Sequence, residues 1–268
     1  VTERRSDTAA IRIAQITDTH LYADPDSRLL GLDTHHSLRA VIELARRRKP
    51  DLVIASGDLA HDASPAAYKR LAECFRIMAV PVYCLPGNHD EAAALRNCLP
   101  GAGCVCPGEV RLQGWQLIFL DSTLAGSEGG HLSATELQRL EQCLHAAPDL
   151  HALVALHHQP VAVGSRWLDS MAVDNATAFF SVIDRHPQVR AIIWGHVHQQ
   201  FEQHHKEVKL LATPSTCIQF LPRSETFAVE PVPPGYRWID LYSDGRIESG
   251  IERLATIPGS VDLSTRGY

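Results

Sequence analysis

Five short stretches of this chain set oxygen and nitrogen donors beside glycines or at the ends of apolar runs: Asp18-Thr19-His20, Gly57-Asp58, Gly87-Asn88-His89-Asp90, His157 and Gly195-His196-Val197-His198. Carboxylate, amide oxygen and neutral imidazole together suit manganese, iron or zinc rather than calcium or a thiolate-bound metal. Two such ions about 3.5–4 Å apart clamp the attacking and leaving oxygens of an in-line phosphoryl displacement. A pair of that kind needs a shared carboxylate, and Asp58 is the natural choice. Residues i and i+2 of an extended segment point to the same side. On that basis Asp18 with His20, and His196 with His198, are each expected to present two donors to one place.

The elements that must position these donors read as βα alternation. Residues 11–16 form an apolar run that ends at Asp18 and His20, and Leu38, Val41, Ile42 and Ala45 then recur at helical spacing until Pro50 forbids continuation. Residues 52–55 read as a buried strand breaking at Gly57. Ser64 as N-cap with Pro65 behind it predicts a helix to about residue 77. Residues 81–85 predict the strand that delivers Asn88 and His89. Ser133 and Glu136 have the spacing of a capping box. Residues 153–156 and 191–194 predict strands ending at His157 and at His196, and Asn175 is expected to cap a helix carrying Phe179, Val182 and Ile183. Residues 209–251 mix prolines with short strand-like pieces, with a hairpin turn at 243–246. In an open α/β sheet, ligands collect beyond the carboxyl ends of the strands, so five donor-bearing ends predict one site.

Bulk composition narrows the function classes. With 45% hydrophobic and 21% charged residues the 268-residue chain has the make-up of a globular protein with a full core. We read residues 11–257 as one domain with a strand-rich part from 209, between a tail at 1–10 and a loose tail from 258. A net charge of −6 offers no basic footprint for nucleic acid or an anionic membrane, and a phosphate ester would need a local positive centre that bound metal can supply. The first ten residues are polar, no apolar run is long enough to cross a bilayer, and seven cysteines make no disulfide framework, so the chain reads as cytoplasmic. Cys104 and Cys106 read as packed or solvent-side thiols rather than zinc ligands. The run Arg46 to Lys49 reads as a solvated helix end, and Asp121 as a structural carboxylate.

Taken together, the motifs D-x-H, G-D, G-N-H-D, H and G-H-x-H in this order resemble the signature of the calcineurin-like metallophosphoesterases over residues 11–198. The resemblance implies an α/β fold: a four-layer α/β/β/α sandwich of two mixed β-sheets flanked by helices. It assigns one metal to Asp18, His20, Asp58 and His198, and the other to Asp58, Asn88, His157 and His196. His89 would contact the phosphate and protonate the leaving oxygen, Asp90 would orient it, and a hydroxide bridging the metals would attack phosphorus. The two ions would be iron or manganese, with zinc also fitting. The other ten histidines, His61 and His158 among them, match no motif position and read as surface or structural; His158 would at most stand behind the ligands.

The stretches Leu29 to Thr34, Pro214 to Phe220 and Pro234 to Trp238 are similar to the bacterial class III cyclic-nucleotide phosphodiesterases, the CpdA group. They extend the likeness to about residue 254. That resemblance implies a small-molecule substrate, a 3′,5′-cyclic nucleotide such as cAMP, with Asn88 and His89 at its phosphate. Trp167, in a segment between two donor strands, would either stack on the base or anchor its loop with Leu168. The metal motifs equally suit another small nucleotide, a diphosphate or a different phosphodiester. A metal-free scaffold would be expected to lack a ligand, and none is missing.

Overall fold

The computed structural model describes residues 10–99, 103–265 and 267. Of the two expected tails, residues 1–9 lie outside that set. One sheet has the order β14-β13-β1-β2-β3-β4, where β1 is Ile11–Ile16, β2 Leu52–Ser56, β3 Val82–Leu85, β4 Cys104–Val105, β13 Gly235–Leu241 and β14 Ile247–Arg253. The second has the order β5-β6-β7-β8-β10-β9, with β5 Glu109–Leu112, β6 Trp115–Phe119, β7 His151–Ala155, β8 Val189–Trp194, β9 Phe201–His205 and β10 Val208–Ala212. A two-stranded piece pairs β11 (Gln219–Phe220) with β12 (Val229–Glu230). Strands β1 to β4 pair in parallel, and so do β6, β7, β8 and β10. The β13–β14 hairpin and the edge strands β5 and β9 are antiparallel, which makes both sheets mixed.

Period-two alternation sends each central strand's side chains into two cores. Ile13, Leu52 and Ile54 meet Leu117, Leu153 and Ile193 between the sheets. Ala14, Ile16, Val53 and Ala55 face the opposite way, beneath α1 (Thr34–Arg46), α2 (Pro65–Phe75) and α3 (Ala92–Cys98). Ile118, Val154, Ile192 and Trp194 pack beneath α4 (Ala134–His145) and α6 (Ala176–Ile183). Burial on both faces explains why these strands read as unbroken apolar runs. The result is the four-layer α/β/β/α sandwich.

The helix starts follow the cap chemistry only in part. Ser64 Oγ accepts from Ala67 N–H at 3.1 Å with Pro65 as the first helical residue, and Ser133 Oγ accepts from Glu136 N–H at 3.1 Å. Glu136 does not complete a capping box: its carboxylate holds Asp121 N–H and Arg139 instead. Asn175 makes no side-chain cap either, because its amide grips both backbone groups of Leu132 at 3.1 and 2.7 Å. Arg46, Arg47 and Lys49 are exposed as a solvated helix end, whereas the part-buried Arg48 lays its guanidinium 4.1 Å over the Trp238 ring and 3.3 Å from Asp240. Cys104 is buried on the edge strand β4. Residues 258–265 carry no helix or strand, yet Asp262 N–H donates to the Leu30 carbonyl at 2.8 Å. Among the described residues, no helix is long and apolar enough to cross a membrane.

Candidate active site

The carboxyl ends of β1, β2 and β3 in one sheet and of β7 and β8 in the other converge, and their loops are stitched together. Asp18 N–H donates to Gly57 O and His20 N–H to Asp58 O, each at 3.0 Å. Gly195 N–H donates to His157 O at 3.2 Å, and His196 N–H to the Asp18 carboxylate at 3.1 Å. Seven residues predicted as ligands meet here. His198 Nε2 lies 3.3 Å from Asp18 Oδ1 and 3.4 Å from His20 Nε2. Asp58 Oδ2 stands 3.7 Å from His20 Nε2 and 3.3 Å from His157 Nε2. His196 Nδ1 is 3.1 Å from Asn88 Oδ1. Asp18, His20, Asp58, His157 and His198 are almost wholly buried.

The expected route to this convergence was the pleat of an extended strand, and the structure corrects it. Strands β1, β2 and β8 stop at Ile16, Ser56 and Trp194, and donors beyond them are left-handed: φ is +53° at Asp18, +43° at His20, +50° at Asp58, +62° at His196 and +48° at His198. For a residue with a Cβ this region costs about 1–3 kcal/mol and persists only where the surroundings dictate it. Here the interloop hydrogen bonds do so, and left-handed kinks at both members of each i, i+2 pair, not strand pleating, aim the side chains inward.

Second nitrogens fix the ring orientations. His157 Nδ1 lies 2.8 Å from Ser56 O and His198 Nδ1 2.9 Å from Ile218 O. A carbonyl accepts only from N–H, so each Nδ1 carries a hydrogen and each Nε2 faces the cluster. Burial holds His20 and His196 far below the ordinary histidine range, and therefore neutral. Burial also depresses His157, but the carboxylates of Asp58 and Asp18 overcome it and raise the group to about 9. The space beside Asp58 thus favours positive charge. His196 Nε2 is buried without a hydrogen bond among the described residues, which costs about 1–3 kcal/mol in the absence of a partner. Two carboxylates, an amide oxygen and inward-facing imidazole nitrogens are a donor set that fits two borderline-hard cations.

A family model for calcineurin-like phosphoesterases matches residues 11–200. The chain belongs to the calcineurin-like phosphoesterase family. This family uses divalent metal ions, and the structure contains a buried His/Asp cluster whose ligand atoms lie close enough together to hold them. The 3′,5′-cyclic adenosine monophosphate phosphodiesterases CpdA of Pseudomonas aeruginosa and of Escherichia coli strain K12 are 38% and 40% identical to this chain, each over 97% of it and 96% of the relative. A dimetal phosphatase from Danio rerio superposes with a TM-score of 0.66 at 16% identity, covering 92% of this chain and 99% of its own, which shows the shared fold.

Within this calcineurin-like frame, three expectations change. Asp90 does not reach out to orient His89: its carboxylate accepts from the backbone N–H groups of Leu59, Ala60 and Gly87 and from the Tyr68 hydroxyl, at 2.9–3.1 Å. Removal from water and the nearby Asp58 push its carboxyl up to about 6 against those donors. His61, expected at the surface or in a structural role, lies between Tyr22 and His89, with Nδ1 3.1 Å from His20 Nδ1. His158, expected at most to stand behind the ligands, is brought beside them, because its strand has already ended at Ala155. It is fully buried, with a ring nitrogen within 4.8 Å of those of His157 and His196. Neither histidine was detectable by motif, since each is brought in by loop packing.

Stretches without evident chemistry in the sequence acquire it here. Phe220 stacks on His198 at 4.1 Å and 8°, Ser215 Oγ donates to Asp18 O at 2.8 Å, and Thr34 Oγ1 donates to His20 O at 3.0 Å. Trp167 sits on the short helix α5 (Arg166–Asp169), edge-on to Phe220 and Phe227 at 4.9 and 5.3 Å.

The loop crossing leaves no room for a side chain at Gly57, where φ is +95° and an added Cβ would stand 2.3 Å from His157 Nδ1. At Gly87 a Cβ would stand 2.2 Å from Asp58 Oδ1. A Gly57→Ala variant is expected to lose metal retention and to unfold at a lower temperature, by about 1–3 kcal/mol from backbone strain and overpacking. Elemental analysis with a thermal melt checks this; unchanged metal content would refute the close approach.

Proposed function

We propose that the chain hydrolyses 3′,5′-cAMP to 5′-AMP with two bound transition-metal ions. The observation that carries the reading is a cavity of about 360 Å³ whose lining joins Asn88, His89 and His196 to Trp167, Leu168 and Phe220. That volume falls within the ~300–1,000 Å³ of small-ligand pockets. Catalytic polar groups and aromatic side chains in one cavity suit a molecule that is phosphate at one end and nucleobase at the other. The near-full-length likeness to the cAMP phosphodiesterases of P. aeruginosa and E. coli supports the same substrate.

Asp18, His20, Asp58 and His198 would hold one ion, and Asp58, Asn88, His157 and His196 the other; the position of Asp58 between His20 and His157 suits a shared carboxylate. Iron and manganese match this oxygen and nitrogen set, and zinc also fits. When bound, the ions supply positive charge for the phosphoryl oxygens and lower the pKa of water at the site. Asn88 and His89 border the phosphate position. His89 would deliver a proton to O3′ as the P–O3′ bond breaks, while the oxygen of a hydroxide, water that has already given up a proton to solvent, bonds to phosphorus and the ring opens to the 5′-monoester. Asp90 holds the Leu59, Ala60 and Gly87 backbone in the geometry that presents Asp58 and His89.

Turnover of 3′,5′-cAMP measured against 2′,3′-cAMP, bis(p-nitrophenyl) phosphate and a nucleotide diphosphate, each with added manganese, tests the substrate. The highest kcat/KM is expected for the 3′,5′-cyclic ester; a large preference for another ester would overturn the assignment. Trp167→Ala is expected to raise KM for cAMP by about 5- to 150-fold, the ~1–3 kcal/mol of one stacked base, with little change for the aryl ester. Equal losses on both substrates would mark Trp167 as a loop anchor only.

A further inference from the structure

We infer that His61 is a positioning residue of this site, holding the cluster-facing imidazole of His20 by a hydrogen bond and the ring of His89 by stacking. The inference rests on the two-metal reading above and extends it to a residue outside the motif. His20 turns Nε2 toward His198 Nε2 and Asp58 Oδ2, at 3.4 and 3.7 Å, and its other nitrogen toward His61 Nδ1 at 3.1 Å. An imidazole offers a lone pair at one nitrogen when the other carries the hydrogen and donates it to a fixed acceptor. His61 Nδ1 is in the place for that acceptor.

The same ring stacks on His89, with centroids 4.7 Å apart and planes inclined by 23°, and Tyr22 lies against it at 4.7 Å. A general acid must bring its N–H within about 2.6–3.2 Å of the oxygen it protonates, so a neighbour that restricts ring rotation raises the share of productive orientations. His61 is itself held by its backbone: its N–H donates to Leu21 O at 2.8 Å, and the preceding Ala60 N–H donates to Asp90 Oδ1 at 3.0 Å. Asp90 therefore reaches His89 through the loop and the His61 ring.

Three variants separate the two contacts. His61→Asn keeps an acceptor near Nδ1 but removes the ring. His61→Phe keeps a ring and removes the hydrogen bond, and His61→Ala removes both. Metal release from the manganese-loaded protein to a chelator reads the His20 contact. The ratio of kcat on cAMP to kcat on bis(p-nitrophenyl) phosphate, at saturating manganese, reads the His89 contact, because the nitrophenolate leaves without a proton.

His61→Phe is expected to release metal about 10- to 100-fold faster with a near-native ratio. His61→Asn should release metal at the native rate with the ratio lowered about tenfold, and His61→Ala should show both changes. Native behaviour of His61→Ala would overturn the inference, as would the same losses in all three variants together with a lower melting temperature of the metal-free protein. Wild-type protein that binds manganese but leaves cAMP intact would instead sink the substrate reading, while the release rates would still decide the His20 contact.

Discussion

Replacing Asn88 with Ala is expected to lower kcat/KM by about three orders of magnitude while the fold survives. Asn88 Oδ1 stands beside His196 Nδ1 at the cavity, half-buried and outside the three apolar cores, so truncation opens no internal void. On the proposed ligand assignment, it removes a neutral oxygen donor from the second ion. Metal stabilisation of phosphoryl charge is worth several kcal/mol, and about 1.4 kcal/mol is a factor of ten in rate. The expected signature is one equivalent of metal lost on elemental analysis, a melting temperature of the metal-free protein within a few degrees of native, and residual activity that rises with added manganese. Native turnover at low manganese would remove Asn88 from the ligand set.

Replacing His89 with Ala is expected to act on the chemical step instead. Its backbone N–H donates to Asp58 Oδ1 at 2.9 Å, a contact that any residue retains, so the shared carboxylate stays in place. Its side chain lines the cavity and lies edge-on to His20, with centroids 4.9 Å apart. Loss of a general acid costs about 10²–10⁴-fold. Both metals should remain bound, kcat on cAMP should fall by that range, and bis(p-nitrophenyl) phosphate should lose much less because its leaving group needs no proton. An equal fall on both esters would assign His89 to phosphate binding rather than proton delivery.

Much of this arrangement was legible in the chain because it is locally encoded. The alternation of apolar runs and helical spacing places β1, β2, β3, β7 and β8 within a residue or two, since a strand buried on both faces must be apolar throughout. Ser64 with Pro65 marks the start of α2 by chemistry confined to four residues. Cap assignments failed at Glu136 and Asn175 for the opposite reason. Both side chains had a distant backbone partner, Asp121 for one and Leu132 for the other, and that contact displaced the local bond. Asp90 departs from expectation in the same way, with donors supplied by loops that only the fold brings near.

The sequence by itself determined the donor types, their order and their place at strand ends, and so the kind of ion and reaction the site suits. Tertiary structure alone decided how those donors meet. Asp18 binds the backbone of His196 across 178 positions, and this crossing of loops holds five donors in left-handed conformations that an isolated peptide would leave. It also brings His61 beside His20 and lays Phe220 flat on His198. Such contacts have no periodicity or motif, because they arise from the packing of segments whose separation along the chain carries no information about their distance in space.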